Sequence, residues 1–260
     1  MRRQLERNAV FLVVVAIALA AFELVICAVV ASMDIESAFG QMIQFAPPAI
    51  RAMVEQNLMG GTPAGVLAFG WNHPVAHALL SAVAITLATR VVAGEIESGA
   101  IELVAAQPMS RAQYFSAHVL FGVGAIGVVL AVAVIATAVG QRIYALPSFG
   151  WRLAPLFLNM LLLQLAIYGL TVLASAYGRE AGRVALTGVM LTVLSYLVNA
   201  VATLWSKAEF LKPWSLHSYF DPRQILVQDH LSAASVVLLA SIALLATKVA
   251  FVHFRRRDLP

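Results

Sequence analysis

Six apolar runs constrain this chain more than anything else in it. Residues 9–31, 74–92, 114–139, 153–177, 184–205 and 231–254 each hold some twenty mostly apolar residues. A helix crossing the hydrocarbon layer of a bilayer needs about that many. Lipid offers no hydrogen bonds, so a spanning segment must satisfy its own backbone, and helices do this within one segment. With 61% hydrophobic and only 12% charged residues, the chain lies far from soluble domains, in which about a quarter of residues are charged. The sequence therefore predicts an all-α membrane protein with six transmembrane helices. Arg2 and Arg3 precede the first run. That run exceeds the roughly 7–15 residues of a signal-peptide core, so it reads as a retained span.

Six spans place both termini on one side. That side carries Arg2, Arg3, Arg7, Arg90, Arg111, Arg179, Arg183 and the run Arg255, Arg256, Arg257. The other carries Arg51, Arg142, Arg152, Lys207, Lys212 and Arg223. Cytoplasmic loops are enriched in Lys and Arg, so both termini are expected in the cytoplasm. The net charge of +4 then reflects loop asymmetry rather than a nucleic-acid surface. The single cysteine, Cys27, lies inside an apolar run and offers no disulfide framework.

One membrane domain, 1–260, is the simplest organisation. Residues 1–8 form a cytoplasmic segment that suits a short helix along the inner surface. An external loop covers 32–73, with a helical element at 41–57 interrupted at Pro47 and Pro48. Within it, 65–71 is apolar enough for the membrane interface, and Pro74 suits the first turn of the second span. A second external loop covers 206–230, where Trp205, Trp214 and Tyr219 fit an outer aromatic belt. Residues 178–183 form an inner turn between the fourth and fifth spans.

Polar residues inside the spans are candidate functional groups. Glu23 lies in the first span, and an acid at membrane depth is a site hypothesis by default. Lys248 is a poor partner. At 1.5 Å per residue, Glu23 lies about 20 Å from the inner end of its span and Lys248 about 9 Å from that of its own, so Lys248 snorkels inward. Asn159, Gln164 and Asn199 match Glu23 better in depth. These four either line a pathway or serve as ordinary helix-to-helix hydrogen bonds. His73 and His77, spaced i, i+4, could hold a metal or simply sit at the interface. Pro-Val-Ala between them removes the glutamate of HExxH and with it zinc hydrolase chemistry. Gly122, Gly124 and Gly127 permit close helix approach.

The segment 94–115, GEIESGAIELVAAQPMSRAQYF, is a polar connection on the terminal side between spans two and three. Read as a helix over 95–106, it puts Ile96, Ala100, Leu103 and Val104 on one face, with Glu95, Glu97 and Glu102 elsewhere. Pro108 ends it and Ser110 caps the next helix. On physics alone it is either a solvated connector or a docking element. It resembles the GEEE-G-LELLLAQPVSR region of bacterial ABC transporter permeases of the ABC type 2 exporter family. Pro48 to Met53 and Thr62 to Gly65 are also similar to that family's first external loop. The motif likeness covers roughly 40–120.

The resemblance implies a cytoplasmic coupling helix within 93–113, seated on a separate ATPase. By position the matching residues are Gly94, Glu95, Glu97, Ser98, Gly99, Glu102, Gln107, Pro108, Ser110 and Arg111. Ile96 departs from the pattern, where the family often has an acid. It also implies a pair of permease subunits, identical or closely related, in a bacterial inner membrane, with a periplasmic or extracellular accessory protein in some assemblies. No cofactor is expected in this chain. The sequence holds no GxxxxGK[ST], so ATP and Mg would be bound by the partner ATPase. The expected function is the non-catalytic permease subunit of an ATP-driven exporter. Two alternatives stay open: an ATP-independent transporter or assembly factor, and an ABC-type complex that transmits force rather than conducting cargo. No GxSxG, HExxH or paired intramembrane aspartates occur, which argues against a membrane hydrolase.

Overall fold

A computed structural model describes residues 2–34, 37, 62–99 and 110–257. Within these the chain is helical throughout, with no strand. The α-helices are α1 (Arg2–Ser32), α2 (Pro63–Trp71), α3 (Pro74–Thr89), α4 (Ala93–Glu97), α5 (Arg111–Ile143), α6 (Leu153–Tyr177), α7 (Ala181–Leu204), α8 (Pro222–Leu226) and α9 (Ala233–Arg256). Short 3-10 turns cover Gly150–Arg152, Ser206–Trp214 and Leu216–Tyr219. α1, α5, α6, α7 and α9 are each long and apolar enough to cross a membrane. This is the build of a multi-pass membrane protein.

Several boundaries differ from the sequence expectation. Residues 2–8 do not form a separate surface helix but continue α1 without a break. The window 74–92 yields α3, which has 16 residues and is not among those five helices. Its start is fixed by proline. The residue before proline is driven from helical backbone, and His73 is extended at φ −70°, ψ 139°. His73 therefore caps α3, its Nδ1 accepting the Val75 N–H at 3.3 Å. Pro74 occupies the first turn, where its missing N–H costs nothing. Thr62 and Pro63 start α2 in the same way. The apolar stretch 65–71 is thus helix, with Leu67, Ala68 and Trp71 buried against the bundle.

The helix read over 95–106 stops much earlier. α4 ends at Glu97, and Gly99 takes φ +68°, a left-handed conformation that glycine adopts without steric penalty. Ser110 does cap α5: its Oγ accepts the Gln113 N–H at 3.2 Å while Gln113 Oε1 accepts the Ser110 N–H at 2.9 Å. The helical element expected at 41–57 lies outside the described residues.

α6 is the hub. Of its most apolar window 61% is buried, against 17–33% for the other four long helices. It packs on α9, α3, α7 and α5, while α1 packs mainly on α5. Hydropathy does not reveal this order, because the window of buried α6 is less apolar than those of exposed α1 and α5 and close to that of exposed α7. In lipid, helix association rests on close packing and hydrogen bonds. Gly122 illustrates the first, since a Cβ there would collide with the Tyr168 ring of α6. Gly124 and Gly127 face open space instead. Large apolar side chains such as Val14, Ile17, Val128, Leu186 and Leu244 point outward, as lipid-facing surface does.

Candidate functional site

Polar side chains fasten the long helices together at the end of the bundle that holds both chain ends. The short α4 sits in the middle of this junction. Glu95 is buried, and its Oε1 lies 2.6 Å from Arg7 Nη1 of α1. One residue on, buried Asn8 accepts a hydrogen bond from Arg90 at the end of α3 and donates to Gln4 O at 2.7 Å. Glu97 Oε2 accepts the N–H of Ala181, the first residue of α7, at 2.6 Å. That N–H is one of the unpaired donors at a helix start, where a negative charge is favoured.

The turn between α3 and α4 is held from α6. Ser175 Oγ donates to Thr89 O at 3.1 Å and accepts the N–H groups of Ala93 at 3.0 Å and Val92 at 3.3 Å. A buried serine thus satisfies backbone groups that the end of α3 leaves open. Beyond the end of α9, Arg257 Nη1 donates to Ala176 O at 2.6 Å and Gly178 O at 2.9 Å, closing the end of α6. Burial, then the charge of Arg179, lowers the Arg257 pKa from the usual arginine value. Arg111 Nη1 donates to Arg257 O at 2.6 Å and so ties in α5. A groove of about 420 Å³, lined by Arg7, Arg90, Gly94, Glu97, Ser98 and Gly182 among others, opens beside α4.

The expected docking residues therefore fall into three groups. Glu95 and Glu97 are engaged inside the chain, on α1 and α7. Gly94 is buried, Ser98 caps α4 with its Oγ 3.4 Å from Glu95 O, Gly99 turns the chain, and Ser110 and Arg111 start α5. Glu102, Gln107 and Pro108 lie outside the described residues. Sequence reasoning missed Arg7, Asn8, Arg90, Ser175 and Arg257 as partners. Only the arginine excess on this side hinted at them.

Three of the four polar candidates within the spans each keep a separate partner. Glu23, 1% exposed, accepts from Thr137 Oγ1 of α5 at 3.0 Å through Oε2, and its Oε1 has no partner. Gln164 Oε1 accepts from Ser81 Oγ of α3 at 3.2 Å. Asn159 Nδ2 donates to Tyr219 O at 3.2 Å. Asn199 lines a cavity at the far end of the bundle.

A second polar cluster lies toward that far end. Ser215 Oγ donates to Ser195 O at 2.6 Å, and Ser195 Oγ lies 2.8 Å from His217 Nδ1. The His217 and His77 rings meet edge to face at 4.9 Å, with Tyr196 5.5 Å from each. Burial pushes the His217 pKa down to about 4, so this ring is neutral at pH 7. His73 Nδ1 is committed to the cap of α3. Among the described residues no group of three or more His, Cys, Asp and Glu comes together. The cluster pins the 3-10 turns of 206–219 onto α3 and α7.

No protein-family model, curated protein or solved structure matches this chain.

Proposed function

We propose that the chain is the membrane-spanning permease subunit of an ATP-driven ABC-type exporter. In this reading α1, α3, α5, α6, α7 and α9 are the six spans, α3 crossing in the interior of the bundle with α2 before it. The junction end faces the cytoplasm, in line with its arginine excess. The segment 94–111 is the coupling element, seated on a separate ATPase that binds ATP and Mg. Two permease subunits form the pathway in a bacterial inner membrane.

The observation that carries this reading is the internal anchoring of α4. A connector that only floated in solvent would have no use for two short carboxylate contacts to different spans. Glu95 on Arg7 and Glu97 on Ala181 turn the segment into a handle on α1 and α7. A push on it moves spans as units, the kind of motion that alternating access requires. Force transmission without conduction is the second reading. It is favoured by the separate pairing of Gln164, Asn159 and Glu23, which gives each its own partner on α3, on the 3-10 turn 216–219 and on α5.

Orientation and coupling are tested separately. The chain has one cysteine, Cys27, which is buried. In a Cys27→Ala background, Ser98→Cys should react with a membrane-impermeant maleimide only from the cytoplasmic face. Labelling from outside refutes the topology. For coupling, the tagged chain purified from its own membranes should carry ATPase activity, and Glu102→Lys with Arg111→Glu should remove it at equal protein yield. Undiminished ATPase activity in that variant removes 94–111 from the coupling role.

A further inference from the structure

We infer that the cavity at the far end of the bundle binds the headgroup of a phospholipid bearing a primary ammonium group. This cavity of about 350 Å³ is enclosed by α2, α7, α8 and the 3-10 turns. Its volume falls in the range that small-molecule sites occupy. Ala68, Phe69, Phe220 and Pro222 give it an apolar side, and Asn199, Thr203, Ser218 and Gln224 supply neutral polar groups.

Its level identifies the kind of ligand. The segment over the cavity turns large aromatic side chains outward: Trp205 is 58% exposed, Phe210 72% and Trp214 83%. Trp is enriched where a membrane meets water, at the depth of the headgroups. In this inference the cavity with its apolar side is entered from the leaflet opposite the chain termini.

Its charges identify the headgroup. Lys212 and Arg223 are cations and Asp221 is an acid. Lys212 uses one of its three donors on Glu209 at 3.1 Å. Lys212, with two donors left, suits a phosphate, and Arg223 adds positive charge to the wall. Asp221 Oδ1 accepts the Gln224 N–H at 3.0 Å, and the carboxylate keeps further acceptor capacity. A phosphate beside a primary ammonium meets both demands. A quaternary ammonium has no N–H to give, and an anionic headgroup without an amine leaves Asp221 facing like charge.

The inference does not rest on the transport reading, and its test reads lipid rather than ATP. The purified full chain is placed in nanodiscs of phosphatidylcholine alone, or with added phosphatidylethanolamine or phosphatidylglycerol. Thermal denaturation is followed, and retained lipid is counted by native mass spectrometry. Phosphatidylethanolamine should raise the midpoint and be retained, and neither other lipid should match it. Asp221→Asn keeps the helix cap, because asparagine caps as well as aspartate, and should weaken phosphatidylethanolamine retention about tenfold, as expected for loss of a charged hydrogen bond. Soluble glycerophosphoethanolamine should compete for the site. Equal midpoints in all three lipids, equal retention of phosphatidylglycerol, or undiminished phosphatidylethanolamine retention by Asp221→Asn would overturn the assignment.

Discussion

Removing Arg7 should damage this protein far more than its position near the chain start suggests. Arg7→Ala strands the Glu95 carboxylate, whose side chain is only 10% exposed. Breaking a buried ion pair by removing one partner costs about 3–5 kcal/mol. Here the Arg7 side chain is 44% exposed, so water reaches one side of the pair, and Arg90 lies close enough to offset part of the loss. A cost of about 2–3 kcal/mol is expected. Glu95→Gln removes the charge but leaves an amide oxygen to accept from Arg7, for a cost of about 1 kcal/mol. The double variant should then resemble Glu95→Gln, because no buried charge remains. The coupling energy of this cycle should be about 2 kcal/mol. Equilibrium unfolding in mixed micelles measures all four proteins. An Arg7→Ala cost within about 0.5 kcal/mol of zero, or strict additivity, would refute the claim that this pair fastens α4 to α1.

Three further outcomes follow from the packing and the buried polar groups. His217 titrates at about 4 when folded against 6.5 in the open chain, so the unfolded state binds the proton first. Its contribution is complete above pH 6.5 and is lost as pH falls toward 4, by about 3 kcal/mol in total; His217→Gln should flatten that part of the stability–pH curve, and an unchanged slope would count against it. Gly122→Val should cost about 2 kcal/mol by overpacking Tyr168, and Tyr168→Leu in the same chain should recover part of it, while Gly124→Val should be near neutral in the same unfolding assay. If the chain is the proposed permease and Glu23 lines its pathway, Glu23→Gln should reduce transport more than it reduces the amount of folded protein, and equal transport at equal protein level would leave Glu23 a structural partner of Thr137.

Much of the fold was legible because membrane insertion is read from the chain locally. Length and apolarity alone locate α1, α5, α6, α7 and α9, since lipid imposes one requirement on every spanning helix. Ser110 was legible as a cap because its hydrogen bond closes within four residues. What stayed hidden is whatever depends on distant partners. Glu95 and Glu97 read equally well as solvent-facing acids or as docking groups, and nothing nearby in sequence names Arg7 or Ala181. The pairing of Gln164 with Ser81 is hidden for the same reason, 83 residues apart. The early stop of α4 follows from Gly99, whose φ of +68° ends a helix that helical periodicity alone would carry on to Pro108.

α3 has 16 residues, a rise of about 24 Å, where a lipid-facing span needs about 30 Å. In the six-span reading this length is tolerable because its ends do not meet lipid alone. Irregular backbone at membrane depth is stable only where protein surrounds it. At the start of α3, Tyr196 of α7 donates to Asn72 O at 3.2 Å beside the break from α2. At its end, Ser175 of α6 holds the turn into α4. α3 is therefore a rigid strut with a polar fastening at each end: one belongs to the junction around Glu95, the other borders the cavity walled by Asn72. In the proposed function a displacement of α4 strains the Ser175 bonds and is passed along α3 toward the break at Asn72, so that the polar regions at opposite ends of the bundle act together.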